Sequence, residues 1–148
     1  MGIFDNSDEY YMREALREAR AAADEDEVPI GAVVVSGDRV IARAHNQTEL
    51  LHDVTAHAEM LAFTAAEEHI GAKYLTGCTL YVTVEPCPMC AGAAAWTQVD
   101  RIVYGARDAK RGYSSLGSRI LHPRTTVTDG VLADECERLM KDFFKKKR

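Results

Sequence analysis

A chain of 148 residues is expected to form one domain spanning residues 1–148, large enough to bury about two thirds of its unfolded-state surface in one core without help from a structural metal. A membrane span is not expected, because the longest run without Asp, Glu, Lys or Arg is the 14 residues Pro86 to Val99, short of the roughly 18 apolar residues required; Met1 to Tyr11 is acidic and lacks the apolar segment of a signal peptide, so a cytoplasmic protein is expected. The net charge of −5 is divided, with 6 Lys+Arg against 17 Asp+Glu in residues 1–100 and 12 against 6 in residues 101–148, which gives the C-terminal third either a face for a polyanionic partner or a solvated basic tail.

Asp5 to Asp24 reads as an amphipathic helix, because Met12, Leu16, Ala19 and Ala23 recur at steps of three and four, with Asp5 or Ser7 as its cap. Ile30 to Val35 and Val40 to Ala44 form a hairpin around the turn Ser36-Gly37-Asp38. After a polar stretch, Thr55 is placed to cap a helix that runs to about His69, with Met60, Leu61, Phe63 and Ile70 on its apolar side and Gly71 closing it. Thr79 to Val84 is a strand that leads into Glu85-Pro86. Pro88 suits a first helical turn, and the helix continues from Met89 to Thr97. Arg101 to Ala106 is the next strand, followed by a basic, glycine-containing loop to Pro123. Thr125 to Thr128 makes a last strand, and Asp129 caps a final helix with Leu132, Cys136, Leu139, Met140 and Phe143 as its apolar stripe. Strands alternating with helices imply a three-layer α/β domain.

Two short segments carry the chemistry. His57-Ala58-Glu59 falls in the first turn of the second helix, and Pro86-Cys87-Pro88-Met89-Cys90 leads from the third strand into the next helix. One imidazole and two thiolates can occupy three corners of a tetrahedral zinc site and leave the fourth to water, so one Zn2+ per subunit is the expected cofactor. Cys87 and Cys90 share a face at a helix N-terminus, whose partial positive charge favours thiolates. Side chains at i and i+2 of a helix point to different sides, which leaves Glu59 beside the ligand His57 as a separate acid-base group. A Cys-x-x-Cys alone also suits a thioredoxin-like redox pair, but the prolines and the upstream His-Ala-Glu favour metal. Four cysteines used this way fit a reducing compartment better than a disulfide framework. Cys78 and Cys136 sit in apolar settings and read as buried, while His45, His52, His69 and His122 have no partner at ligand spacing. Asn46 can both donate to and accept from a base edge, or serve as a turn residue. Phe143-Phe144 followed by Lys145 to Arg148 combines the aromatic and basic groups that grip single-stranded nucleic acid.

His-x-Glu followed by Pro-Cys-x-x-Cys is the signature of the zinc-dependent nucleobase deaminases, in which a zinc-activated hydroxide attacks the amine-bearing carbon while the glutamate moves the protons. From Val28-Pro29-Ile30-Gly31-Ala32-Val33 through Thr55-Ala56-His57-Ala58-Glu59, Leu80-Tyr81-Val82-Thr83, Glu85-Pro86-Cys87-Pro88-Met89-Cys90-Ala91-Gly92-Ala93 and Tyr104-Gly105-Ala106-Arg107-Asp108-Ala109-Lys110 to Gly130-Val131-Leu132-Ala133-Asp134-Glu135-Cys136 and Phe143-Phe144, the chain resembles the bacterial tRNA-specific adenosine deaminases over nearly its full length. The resemblance implies a cytidine-deaminase-like, three-layer αβα fold with a central mixed five-stranded sheet, a homodimer, and conversion of the wobble adenosine of a tRNA anticodon stem-loop to inosine. By position it implies His57, Cys87 and Cys90 as ligands and Glu59 as proton shuttle. It further implies Asn46 against the base, Pro29 and Val84 lining its pocket, Asp108 at a neighbouring ribose, and Phe144 with the final helix against the anticodon loop. Gly112 to Ser118 departs from the family's loop and Trp96 is similar to guanine deaminases of the same superfamily. Deamination of free guanine, nucleosides or cytosine compounds is therefore the alternative chemistry. A non-catalytic nucleic-acid-binding module, with a structural zinc closed by Glu59 or a nearby histidine, is the alternative from another class.

Overall fold

The computed structural model describes residues 6–147. Its elements are α1 (Asn6–Asp24), β1 (Gly31–Ser36), β2 (Arg39–His45), α2 (Ala58–Ile70), β3 (Cys78–Val84), α3 (Pro88–Thr97), β4 (Arg101–Ala106), β5 (Thr126–Thr128) and α4 (Ala133–Lys146), with 3-10 turns at Tyr113–Leu116 and Ser118–Ile120. The sheet runs β2-β1-β3-β4-β5. Pairing is antiparallel for β1 with β2 and with β3, and parallel for β3 with β4 and β4 with β5. It is the mixed five-stranded sheet of a cytidine-deaminase-like fold.

The three central strands β1, β3 and β4 are largely apolar and buried because both faces of the sheet are covered there, whereas the edge strands β2 and β5 are more polar and exposed. Alternate side chains serve opposite layers. Ala32, Val34, Leu80, Val82, Ile102 and Tyr104 pack on the side of α2 and α3 with Ala58, Ala62, Phe63, Ala91 and Ala94. Val33, Val35, Tyr81 and Val103 pack on the other side with Met12, Ala15 and Leu16 of α1 and Cys136 of α4. Gly31 is needed where β1 passes α1, since a Cβ there would overlap the backbone at Ala15 and Ala19.

Several boundaries differ from those expected of the sequence. Ser7 lies inside α1 and is not its cap, while Asp5 lies outside the described residues. Thr55 turns back on itself, its N–H and hydroxyl both donating to Asp53 Oδ1 at 2.8 and 2.7 Å. Helix α2 therefore starts at Ala58 with His57 as N-cap, and closes at Gly71 in the left-handed conformation. Its buried side is Ala58, Glu59, Ala62, Phe63 and Ala66, with Met60 and Leu61 half-buried and Ile70 42% exposed. Nor does Asp129 cap α4. Gly130 and Leu132 both take positive φ, and the helix begins only at Ala133.

Candidate metal centre and substrate cleft

The end of β3 and the starts of α2 and α3 meet at one point. Beyond Val84 the chain continues through Glu85 and Pro86 to Cys87, the extended N-cap of α3, with Pro88 in the first turn. Proline is at home there because its missing N–H would have had no helical partner. His57 is the N-cap of α2, also extended. The Nδ1 of His57 lies 3.6 Å from Cys87 Sγ and 3.5 Å from Cys90 Sγ. All three ligand atoms fall within 4.8 Å of one another, and the cysteines are free thiols.

These distances fit a zinc ion. Bond lengths of ~2.3 Å to sulfur and ~2.05 Å to nitrogen at a tetrahedral angle put N and S roughly 3.5–3.6 Å apart. The charge state is also prepared. Hydrogen bonding from Cys90, opposed by burial and reinforced by His57, draws the Cys87 thiol down to about 4. Donation to Cys87 and burial push the Cys90 thiol up, so the two sulfurs share a proton that the pair gives up when both bind a metal as thiolates. Glu59 is 4% exposed. Burial, aided by the nearby Cys87 charge and opposed by His57, lifts its carboxyl to about 7, and a group balanced at neutral pH can both take and return a proton.

The centre opens into a cavity of about 710 Å³, whose walls include His57, Glu59 and Cys87 together with Asn46, Val84, Asp108 and Phe144. Cys90 is buried behind it. Pro29 is buried in the chain, and its neighbours Val28 and Ile30 form that part of the wall in its place. Arg107, Lys110, Arg111 and Lys141 add positive charge around the cavity, and Glu85 contributes a buried carboxylate. Sequence reading missed Glu85 and also Glu27, which accepts the N–H groups of Glu49 and Leu50 at 3.1 and 2.8 Å and so fixes the loop after Asn46. It also missed His45, whose Nδ1 and Nε2 meet Glu18 and Glu25 at 2.9 and 3.0 Å. Among the described residues, no helix is long and apolar enough to cross a membrane.

A His-x-Glu at one helix start and a Pro-Cys-x-x-Cys at the next, on an αβα sheet, define a zinc-dependent deaminase of the nucleobase class. The family model of the MafB19-like deaminases matches residues 6–148. The chain is 45% identical to the tRNA-specific adenosine deaminase of Bacillus subtilis (strain 168), over 95% of this chain and 91% of that protein. It superposes with a TM-score of 0.83 on a solved tRNA:A34 deaminase studied for A-to-I editing at the wobble position, 43% identical over 88% of this chain and 98% of that one. A solved guanine deaminase from Nitrosomonas europaea shares the fold at TM-score 0.79 but only 27% identity, over 91% and 83% of the two chains. The chain therefore belongs to the family of the tRNA-specific adenosine deaminases, within the MafB19-like deaminases.

Proposed function

We propose that this protein converts adenosine to inosine at the wobble position of a tRNA anticodon loop. The observation that carries the proposal is the union of the His57, Cys87 and Cys90 centre with a cleft walled by Phe144 and Lys141 of α4 and by the basic loop Arg107 to Arg111. A base still attached to its polynucleotide can enter such a cleft while the backbone rests on the cations around it. A loop adenosine is already unpaired and costs little to turn outward.

His57, Cys87 and Cys90 would hold zinc, which when bound lowers the pKa of a coordinated water to about 7. Asn46, 6% exposed in the wall, orients the base through its amide, while Val84 and Ile30 flank the ring. Glu59 removes a proton from the attacking water and delivers it to the ring nitrogen beside C6. It then takes the proton of the new C6 hydroxyl and passes it to the amine as the C6–N bond breaks, so that adenine plus water yields hypoxanthine plus ammonia. Asp108 and Phe144 contact the neighbouring nucleotides of the loop. Residues 1–148 act as one catalytic domain in the cytoplasm. The active species is a homodimer, a reading supported by the apolar patch of Met89 and Trp96 on α3, with Trp96 84% exposed, and Leu116 in the adjoining turn.

The test incubates the zinc-loaded protein separately with an anticodon stem-loop carrying adenosine at the wobble position, with free guanine, with adenosine and with cytidine, and measures ammonia. Inosine in the stem-loop is the expected product. Release from guanine with none from the stem-loop would overturn the proposal.

A further inference from the structure

Glu85 is buried, 4% exposed, in the connection that ends at Cys87, and its carboxylate is used entirely on a loop more than twenty residues away. Its Oε1 accepts the Asp108 N–H at 3.0 Å. Its Oε2 accepts both the N–H and the hydroxyl of Ser114, at 3.0 and 2.5 Å. The loop between these anchors is folded around Asp108, whose Oδ1 accepts the N–H groups of Lys110 and Arg111 at 3.1 and 3.0 Å and whose carbonyl accepts that of Gly112 at 2.8 Å. Tyr113 N–H donates to Pro86 O at 2.9 Å, which joins the loop to the same connection. Gly112 passes so close that a Cβ would be built into the Glu85 carboxylate. Arg107 to Arg111 is one wall of the cleft, so a single side chain fixes that wall relative to the metal-ligand turn.

We infer that Glu85 is a positioning residue for substrate, setting the Arg107 to Arg111 wall at a fixed distance from the Cys87 turn so that a polynucleotide bound by the wall presents its base to the centre. This rests on the polynucleotide reading above. Glu85 touches neither base nor metal in this role; it acts through Asp108 and Ser114. Glutamine at this position keeps the shape but turns an NH2 donor toward amide donors, so one of the two anchors is lost.

The experiment compares wild type, Glu85→Gln and Ser114→Ala as zinc-loaded full-length proteins. Three quantities are measured: zinc per chain, amide exchange at residues 108–114, and kcat and KM on the stem-loop. Glu85→Gln is expected to retain one zinc, to speed exchange across 108–114, and to raise KM roughly tenfold, the scale of one charge-assisted hydrogen bond, with kcat changed less than about threefold. Ser114→Ala should show the same pattern at smaller amplitude. Loss of zinc, or a fall in kcat with KM unmoved, would make Glu85 a support of the centre itself and overturn the inference; unchanged exchange would do so as well. If wild type is inactive on the stem-loop, the functional reading fails first, and the exchange data still decide whether Glu85 holds the wall.

Discussion

Asp8 and Arg101, 93 residues apart in sequence, meet as a two-pronged ion pair, Oδ1 to Nη1 at 2.8 Å and Oδ2 to Nη2 at 2.7 Å. The pair ties the first turn of α1 to the start of β4, and Tyr81 adds a third donor to Asp8 Oδ1 at 2.7 Å. Burial alone would raise the Asp8 carboxyl, but the hydrogen bonds from Arg101 and Tyr81 and the Arg101 charge together hold it below the ordinary value. Asp8→Ala removes the acceptor these groups share. Arg101 keeps some contact with water, so the expected loss is about 2–3 kcal/mol, below the range for fully buried pairs, seen as a fall in Tm of roughly 5–10 °C. Because the folded value is the lower one, the contribution of Asp8 is present above the ordinary carboxylate pKa and vanishes as pH falls through the folded value. Acid unfolding should therefore be less steep in Asp8→Ala than in wild type, and equal steepness would remove Asp8 from that transition.

His45 behaves in the opposite sense. Burial lowers its pKa, but its bonds to Glu18 and Glu25 outweigh this and raise it above 6.5. The charged clamp is then complete below the unfolded pKa and lost as pH rises through the folded one. Urea midpoints measured between about pH 6 and about pH 9 should fall on the alkaline side in wild type and stay flatter in His45→Gln. Parallel curves for the two proteins would show that the clamp contributes nothing in this window.

The contrast between β4 and His45 shows what a sequence can reveal. Arg101 to Ala106 was legible to the residue, because a short apolar run between turn signals has few other ways to be buried. The His57, Cys87 and Cys90 cluster was legible too, because His-x-Glu and Cys-x-x-Cys are short motifs of residue types with metal chemistry, even though the start of α2 was not placed correctly. His45, Glu27 and Glu85 were invisible because each acts through partners 20 to 29 residues away, at no periodic spacing. The caps at Thr55 and Asp129 were misplaced for a related reason. Both residues have side chains suited to capping, but one is consumed by a local turn and the other precedes a pair of positive-φ residues that delays the helix.

Glu59 is the residue on which a catalytic and a structural reading of the metal centre give different predictions. The three metal-capable groups found together are His57, Cys87 and Cys90, and Glu59 stands beside them as a buried carboxyl lifted to about 7. Glu59→Ala is expected to bind zinc in the wild-type ratio and melt within a few degrees of wild type while losing about 10²–10⁴ in kcat, the range for a general acid-base group. Cys90→Ser, by contrast, should lose zinc. Metal analysis and turnover on the two variants check both statements; release of zinc by Glu59→Ala would assign it as the fourth ligand and point to a non-catalytic site.

The C-terminal cations do not all have the same freedom to meet RNA. Lys147 is paired with Asp26 of the acidic turn after α1 and lies 5.5 Å from the centroid of the Phe143 ring, whereas Lys145 and Lys146 are exposed at the end of α4, beyond the Phe144 that walls the cleft. Each cation that neutralises a phosphate of a single strand releases condensed counterions and contributes about 0.7 to the slope of log affinity against log salt. Replacing Lys145 and Lys146 by alanine should thus lower that slope by up to about 1.4 and weaken stem-loop binding most at low salt. Lys147→Ala should move the slope less, because its charge is already balanced by Asp26, and should act mainly by loosening the helix end. Binding isotherms at several salt concentrations separate the two, and a larger slope change for Lys147→Ala than for the double variant would place the RNA on the opposite side of α4.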